Sequence, residues 1–525
     1  MATSWRALLG LSWVTLLACG EPEKAAPTLF TEGSRLKAVY QQADGAPPLF
    51  LSWYDTELGV DCLFAEVGLP DRQVCFPTSP VGLGTDLIFA RPTSWFADSS
   101  CTQPIYWVPA EHGFFISSRS SEDPCATQPQ LFSLVKVARD EAGPFRADAG
   151  TCRHSTPEET EREAEFLASA TLYSLGPEIP LETLVSGTFR PGAGPGRVVP
   201  LEIVASDGSV QKAGTIGRVE TSVNGEAYPG VFPRSVAWDT ERQEVVPLPY
   251  PFSDTNAHWL PERSDDFGLF ADAACSVPAV VGSACSQRSG VVSRERDACG
   301  NPAPTVFEPG DPVSGTGQLY YVDSESSVCS TYAGSSPATD GTAKAFTVGA
   351  AIPVTAFAAA TKVYTGTKQL QLIEAASADG PSVNPLGFWD SVHAQPCSAS
   401  PFAFAADDSV RCLPNDTLWL SANPIFSDAA CSVPLVSLSN WANGCSPTPT
   451  LVSRSESMTA PGAVHITNRW HFYALGERYQ GPVYDGAVNG FCEDVTARYE
   501  GLELYTVGPE LPASDFAEVK IVRPD

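Results

Sequence analysis

One six-residue pattern occurs three times and constrains what this chain can fold into. Phe96-Ala97-Asp98-Ser99-Ser100-Cys101 returns as Phe270-Ala271-Asp272-Ala273-Ala274-Cys275 and as Phe426-Ser427-Asp428-Ala429-Ala430-Cys431. The copies begin 174 and then 156 residues apart, and each is followed by a Pro three positions after the Cys, at Pro104, Pro278 and Pro434. A long-period repeat of this kind means that one structural unit is built several times. The Asp-x-x-Cys spacing suits a turn in which the carboxylate accepts backbone amides and aims the Cys into a disulfide.

Other blocks recur in the same order. A basic residue (Arg35, Arg197, Lys368) opens each unit before an apolar run that ends at Asp44-Gly45, Asp207-Gly208 or Asp379-Gly380. Asp-Gly between such runs is a hairpin signal, because Gly accepts the positive φ of a tight turn. A Trp-Asp-hydroxyl block follows: Trp53, Asp55 and Thr56 with one insertion, Trp238-Asp239-Thr240, and Trp389-Asp390-Ser391. Each unit closes on a similar segment, Leu172–Pro180, Phe346–Pro353 and Leu504–Pro512, which reads as a short strand, a Gly turn and a Pro that stops pairing.

These blocks divide the chain into 31–195, 196–365 and 366–525, preceded by 1–18 and 19–30. A chain of 525 residues exceeds one hydrophobic core. With 46 Pro, 42 Gly and little helical periodicity, it reads as many short strands joined by tight turns. One short acidic helix is predicted from the Thr156-Pro157-Glu158-Glu159 cap, and residues 190–197 read as a Pro/Gly linker. The expected fold is all-β, with three homologous units of two sheets each. That permits a six-bladed β-propeller or, as the alternative, three β-sandwich-like domains in a row.

Residues 1–18 read as a signal peptide: Arg6 supplies the positive end, and the apolar run Ala7–Ala18 is too short for an ordinary membrane span. Leu16-Leu17-Ala18-Cys19-Gly20 resembles the lipobox of bacterial lipoproteins. That resemblance implies cleavage before Cys19, acylation of Cys19, and, with Gly20 rather than Asp next, export to the outer membrane. Residues 19–30 would then form a lipidated tether to the cell envelope. The repeats as a whole resemble the tandem-repeat lipoproteins of myxobacterial-type bacteria, from which no active residue carries over.

Of the 15 Cys, 14 remain once Cys19 is set aside, an even number that argues for a disulfide framework in an exported chain. Overlaying the units and joining near neighbours predicts 62–75, 125–152, 275–285, 299–329, 397–412 and 431–445, with every number a Cys. Cys101 and Cys492 are left over; a bond between them would close the chain end to end.

The net charge of −29 repels phosphate backbones and disfavours nucleic acid as a partner. Neither a His-Glu-x-x-His pattern nor a Gly-x-Ser-x-Gly elbow is present, and no Cys-x-x-Cys pair points to a metal. No cofactor is implied. The Trp-Asp blocks carry two readings. Trp can pack a core while Asp holds turn amides, the commoner arrangement. Alternatively, Trp53, Asp55, Trp238, Asp239, Trp389 and Asp390 form a repeated ligand platform. The expected function is that of a non-enzymatic surface lipoprotein, binding a glycan, peptide or protein or serving a structural role. A glycosidase-like hydrolase using paired carboxylates is the alternative.

Overall fold

The computed structural model describes residues 29–524, except 68–72, 79–90, 109–113, 120–127, 138–144, 149–150, 155–170, 213, 221–229, 248, 250–256, 262–265, 284–289, 293–304, 314–317, 324–326, 333–342, 379–381, 401–409, 422–423, 439–448, 460–465 and 487–491. The described chain is all-β, in five multi-stranded sheets. The predicted helix after Thr156, the Asp379-Gly380 turn, Cys19 and Cys125, Cys285, Cys299 and Cys445 lie outside the described residues.

Each unit begins with an antiparallel meander. In unit 1 it runs through Leu36–Ala43, Leu49–Asp55, Val60–Glu66 and Gln73–Pro77. In unit 3 it runs through Leu370–Ser377, Ser382–Asp390, Gln395–Ser400 and Arg411–Pro414. Unit 2 uses Val198–Ala205, Gly230–Asp239 and Glu244–Pro247, and inserts Val210–Gln211 and Thr215–Glu220 between its first two strands. The register is the same each time: Leu36 faces Asp55, Val198 faces Asp239 and Leu370 faces Asp390. The Trp-Asp strand of unit 3 also touches those of units 1 and 2.

The second sheet of each unit carries the Phe-x-Asp-x-x-Cys block. The strand ending at Phe96, Phe270 or Phe426 pairs with the strand starting at Pro104, Pro278 or Pro434. That strand pairs in turn with Thr171–Ile179, Ala343–Ile352 or Leu504–Glu510. In unit 1 the two sheets pack face to face: Leu63, Val74 and Phe76 of the meander bury against Ile116 and Leu131 of the second sheet. Removing such a side chain from water is worth about 1.5–3 kcal/mol, so a face of this kind holds its sheets together.

The closing segments differ from expectation. Gly176, Gly349 and Gly508 do not make turns, because their strands run on through them. Each lies at or beside a register shift. Gly is needed for space: a Cβ on Gly508 would sit 2.7 Å from the Ala474 carbonyl oxygen, and one on Gly349 would sit 2.8 Å from that of Glu308. The Pro that follows then caps a single 3-10 turn, Leu181–Thr183, Val354–Ala356 or Ala513–Asp515.

After that turn the chain forms a bridging strand shared between units. Ser186–Pro191 pairs with Gln73–Pro77 of unit 1 and with Val198–Ala205 of unit 2. Ala359–Thr365 pairs with Ala257–His258 of unit 2 and with Leu370–Ser377 of unit 3. Val519–Val522 returns to pair with Leu36–Ala43 of unit 1, and the Arg411–Glu518 bridge ties it to unit 3. Residues 192–197 are the irregular link expected from their Pro and Gly. Backbone pairing that passes from unit to unit does not support separate propeller blades. The two stacked sheets of unit 1 fit the β-sandwich-like alternative.

Candidate functional site

The recurring Trp-Asp block builds the same buried clamp three times. Asp55, Asp239 and Asp390 have no solvent exposure. In unit 1, Arg35 grips Asp55 with Nε and Nη2, each at 2.7 Å, while its Nη1 donates to the Thr183 carbonyl at 2.9 Å. The carboxylate also accepts the amides of Glu57 and Leu58. In unit 2, Arg197 holds Asp239 at 2.9–3.1 Å and donates to the Ala356 carbonyl at 3.0 Å. Hydrogen bonding to Asp55, against the opposing pull of burial, raises the Arg35 pKa above its ordinary value. Each clamp thus fastens a unit's opening residue to its Trp-Asp turn and to the 3-10 turn that closes the same unit.

Unit 3 replaces the cation. The residue in the Arg position is Gln369, not Lys368, whose side chain instead pairs with the exposed Asp44 of unit 1. The Gln369 amide donates to both Asp390 oxygens at 3.1 Å and to the Asp515 carbonyl at 3.2 Å. His393 fills the remaining side, with Nδ1 2.7 Å from Asp390 and its ring stacked on Phe516 at 5.0 Å. Burial alone would push Asp390 upward; the hydrogen bonds from His393 and Gln369 outweigh it and hold the carboxyl below its usual range. Where Glu57 and Glu241 add a second carboxylate beside their Arg, unit 3 carries the exposed Val392.

The Trp rings serve packing. Trp53 is fully buried, and its Nε1 donates to Gln211 at 2.8 Å. Trp238 is partly buried against a core shared by units 1 and 2, and Trp389 packs edge-on against Tyr364 at 5.2 Å. Since the three carboxylates spend their acceptors on the protein itself, the block does not present a polar platform to a ligand.

The second recurring element is a disulfide staple. Asp98 accepts the amides of Thr102 and Gln103 and the Thr102 hydroxyl at 2.6–2.9 Å. Asp272 and Asp428 do the same at 2.7–2.9 Å with Ser276 and Val277, and with Ser432 and Val433. Hydrogen bonds from Thr102, Ser276 and Ser432 lead in holding these three carboxyls below their ordinary range. The turn sets Cys101, Cys275 and Cys431 at φ of 52°, 50° and 50°, a left-handed conformation uncommon outside Gly. Each Sγ then meets a short hairpin that pairs with the strand bearing its own Phe.

The resulting bonds are Cys101–Cys152, Cys275–Cys329 and Cys431–Cys492. These correct the expected 125–152, 299–329, 275–285, 431–445 and 101–492 pairings. Joining near neighbours in sequence failed because the sheet brings the first and last Cys of a second sheet together. The end-to-end closure expected of Cys101 and Cys492 is made by the Val519–Val522 strand instead. Cys62–Cys75 and Cys397–Cys412 form as expected, across adjacent strands of the meander.

One further pair had no signal in the sequence. Arg523, after the last bridging strand, forms an ion pair with the buried Asp61 of unit 1, which also accepts the Ser52 hydroxyl at 3.2 Å. Burial pushes the Asp61 carboxyl up to about 6, against the opposing pull of Arg523 and Ser52. An open cavity of about 760 Å³ lies between units 1 and 3 beside Asp44, Lys368 and Glu518, and another of about 650 Å³ lies in unit 3 beside Tyr479 and Tyr499. Among the described residues, no cluster of three His, Cys, Asp or Glu could hold a metal ion. Among those residues also, no helix is long and apolar enough to cross a membrane.

Cross-links of this number indicate an oxidising compartment. Neither a curated protein nor a solved structure matches the chain. Residues 253–516, half of the chain, match a family of unknown function (DUF7481), and the chain belongs to it.

Proposed function

We propose that this member of the DUF7481 family is a non-enzymatic, exported lipoprotein, anchored at the cell envelope through Cys19, with a binding or structural role there. The observation that carries this reading is the staple repeated in every unit, Cys101–Cys152, Cys275–Cys329 and Cys431–Cys492, which keeps its cross-links only outside a reducing cytoplasm. A second feature supports it: the polar constellation common to all three units is turned inward and used up within each unit, fastening its start to its Trp-Asp turn and its closing turn. A surface bearing a net charge of −29 stays soluble and keeps anionic polymers away. The outer membrane is the proposed site, and a glycan, peptide or protein is the proposed class of ligand.

The test is radiolabelled palmitate incorporation and membrane fractionation of the wild type and Cys19→Ser in a diderm host. The wild type carries label and sediments with outer membranes, and the variant is unlabelled and released. Unlabelled wild type would refute the anchor. Glycan-array and pull-down binding without turnover then bears on the binding role, and turnover of a glycan would refute the non-enzymatic reading.

A further inference from the structure

The three seams between units are not equivalent. Seams 1/2 and 2/3 are crossed by the chain itself, whereas seam 3/1 is held by non-covalent contacts between the first and third units. The bridging strand makes five residue pairs at seam 1/2, six at seam 2/3 and four at seam 3/1. At seam 1/2 the Asp-Gly turn of unit 2 is locked in place: Asp207 accepts the amides of Arg35 and Leu36 at 3.1 and 2.7 Å. The matching residue at seam 3/1, Asp44, is 81% exposed at its side chain and reaches out to Lys368. The cavity of about 760 Å³ runs along this seam, lined by Asp44, Lys368, Gln369, Glu518 and Lys520.

We infer that seam 3/1 is a strand-exchange site, a slot that the Val519–Val522 strand fills within the chain and that the same strand of a second copy can fill instead. The slot recognises a defined pattern. Val519, Ile521 and Arg523 share one face of the extended chain. Val519 is buried with Leu370, Leu372 and Phe388, beside Cys397 and Cys412. Arg523 lies over the Tyr54 ring at 5.7 Å and pairs with Asp61. An apolar residue followed four positions later by Arg therefore fits, on a strand that adds its backbone to the edge of Leu36–Ala43. When the strand leaves, Asp61 is a buried carboxylate without its cation and the edge of unit 1 is bare, so the slot refills. A second copy offers the identical strand, which makes exchange between copies a route to dimers.

The experiment uses the full chain in two measurements. Hydrogen exchange in the wild type compares the three bridging strands. Amides of Val519–Val522 exchange at least tenfold faster than those of Ser186–Pro191 and Ala359–Thr365. A labelled peptide with the sequence of residues 516–525 is then incubated with the protein and followed by native mass spectrometry. One peptide is taken up per chain, and the same peptide carrying Arg523→Ala is taken up at least tenfold less. Equal exchange at all three strands, absent uptake, or uptake indifferent to Arg523 would each overturn the exchange site.

Discussion

Arg197 and Asp239 lie 42 residues apart and meet in a two-pronged ion pair at 2.9–3.1 Å, with the carboxylate fully buried and the remaining guanidinium nitrogen on the Ala356 carbonyl. One side chain thereby ties the start, the middle and the end of unit 2. Arg35 does the same in unit 1. Replacing Asp239 by Ala leaves the part-buried guanidinium with only the exposed Glu241 carboxylate and the Ala356 carbonyl, which costs about 3 kcal/mol, the lower end for breaking a buried ion pair. Chemical denaturation should show that loss. Asp55→Ala should show a loss of similar size, since the geometry is the same.

Unit 3 makes the clamp without a permanent cation, so its weak point is different. His393→Ala removes one of the side-chain donors to Asp390 and the ring stacked on Phe516. Leaving a buried acceptor short of a partner costs about 1–3 kcal/mol. Urea unfolding of His393→Ala should fall in that range, below the loss from Asp239→Ala.

Gly508 sits where a neighbouring strand leaves no room for a side chain. Gly508→Ala should destabilise by about 1–3 kcal/mol through backbone displacement. Gly501 is a control: its φ is 85° but a Cβ there meets open space, so Gly501→Ala should cost only about 1 kcal/mol through conformation. Thermal melts of the pair separate crowding from backbone preference.

Asp61 predicts an unusual pH response. Its folded pKa of about 6 lies above the unfolded value of about 3.9. The folded state therefore binds the proton more readily between those values. The contribution of Asp61 to stability is fully present below pH about 4 and is lost as pH rises through about 6. Asp207 and Asp390 act in the opposite sense: their lowered values give stability above pH about 4 that is lost as pH falls through the folded pKa. Asp61→Asn should flatten the stability profile between pH 4 and 6 and leave the loss at lower pH unchanged, as measured by denaturation across pH.

The threefold construction was legible because hairpins, disulfide turns and buried Trp each need particular residue types at fixed spacing. Phe-x-Asp-x-x-Cys marks the staple turn, and Asp44-Gly45 and Asp207-Gly208 mark hairpins. What escaped was anything decided by which strands become neighbours. Cys101 and Cys152 are 51 residues apart and Cys431 and Cys492 are 61 apart, and only sheet order brings each pair together. Gln369 is hidden in the sequence because the neighbouring Lys368 matches Arg35 and Arg197 in charge, although only Gln369 matches them in position. Arg523 and Asp61 belong to no repeated block, so their pairing left no trace. The closing Gly reads as a turn in the sequence because a bulge that makes room for a neighbouring strand uses the same residue.

Non-reducing peptide mapping of the native protein tests the threefold stapled construction most directly. The structure predicts Cys101 linked to Cys152, Cys275 to Cys329 and Cys431 to Cys492, one equivalent bond per unit. Finding these cysteines as free thiols, or Cys152 bonded to Cys125 and Cys431 to Cys445, would contradict it.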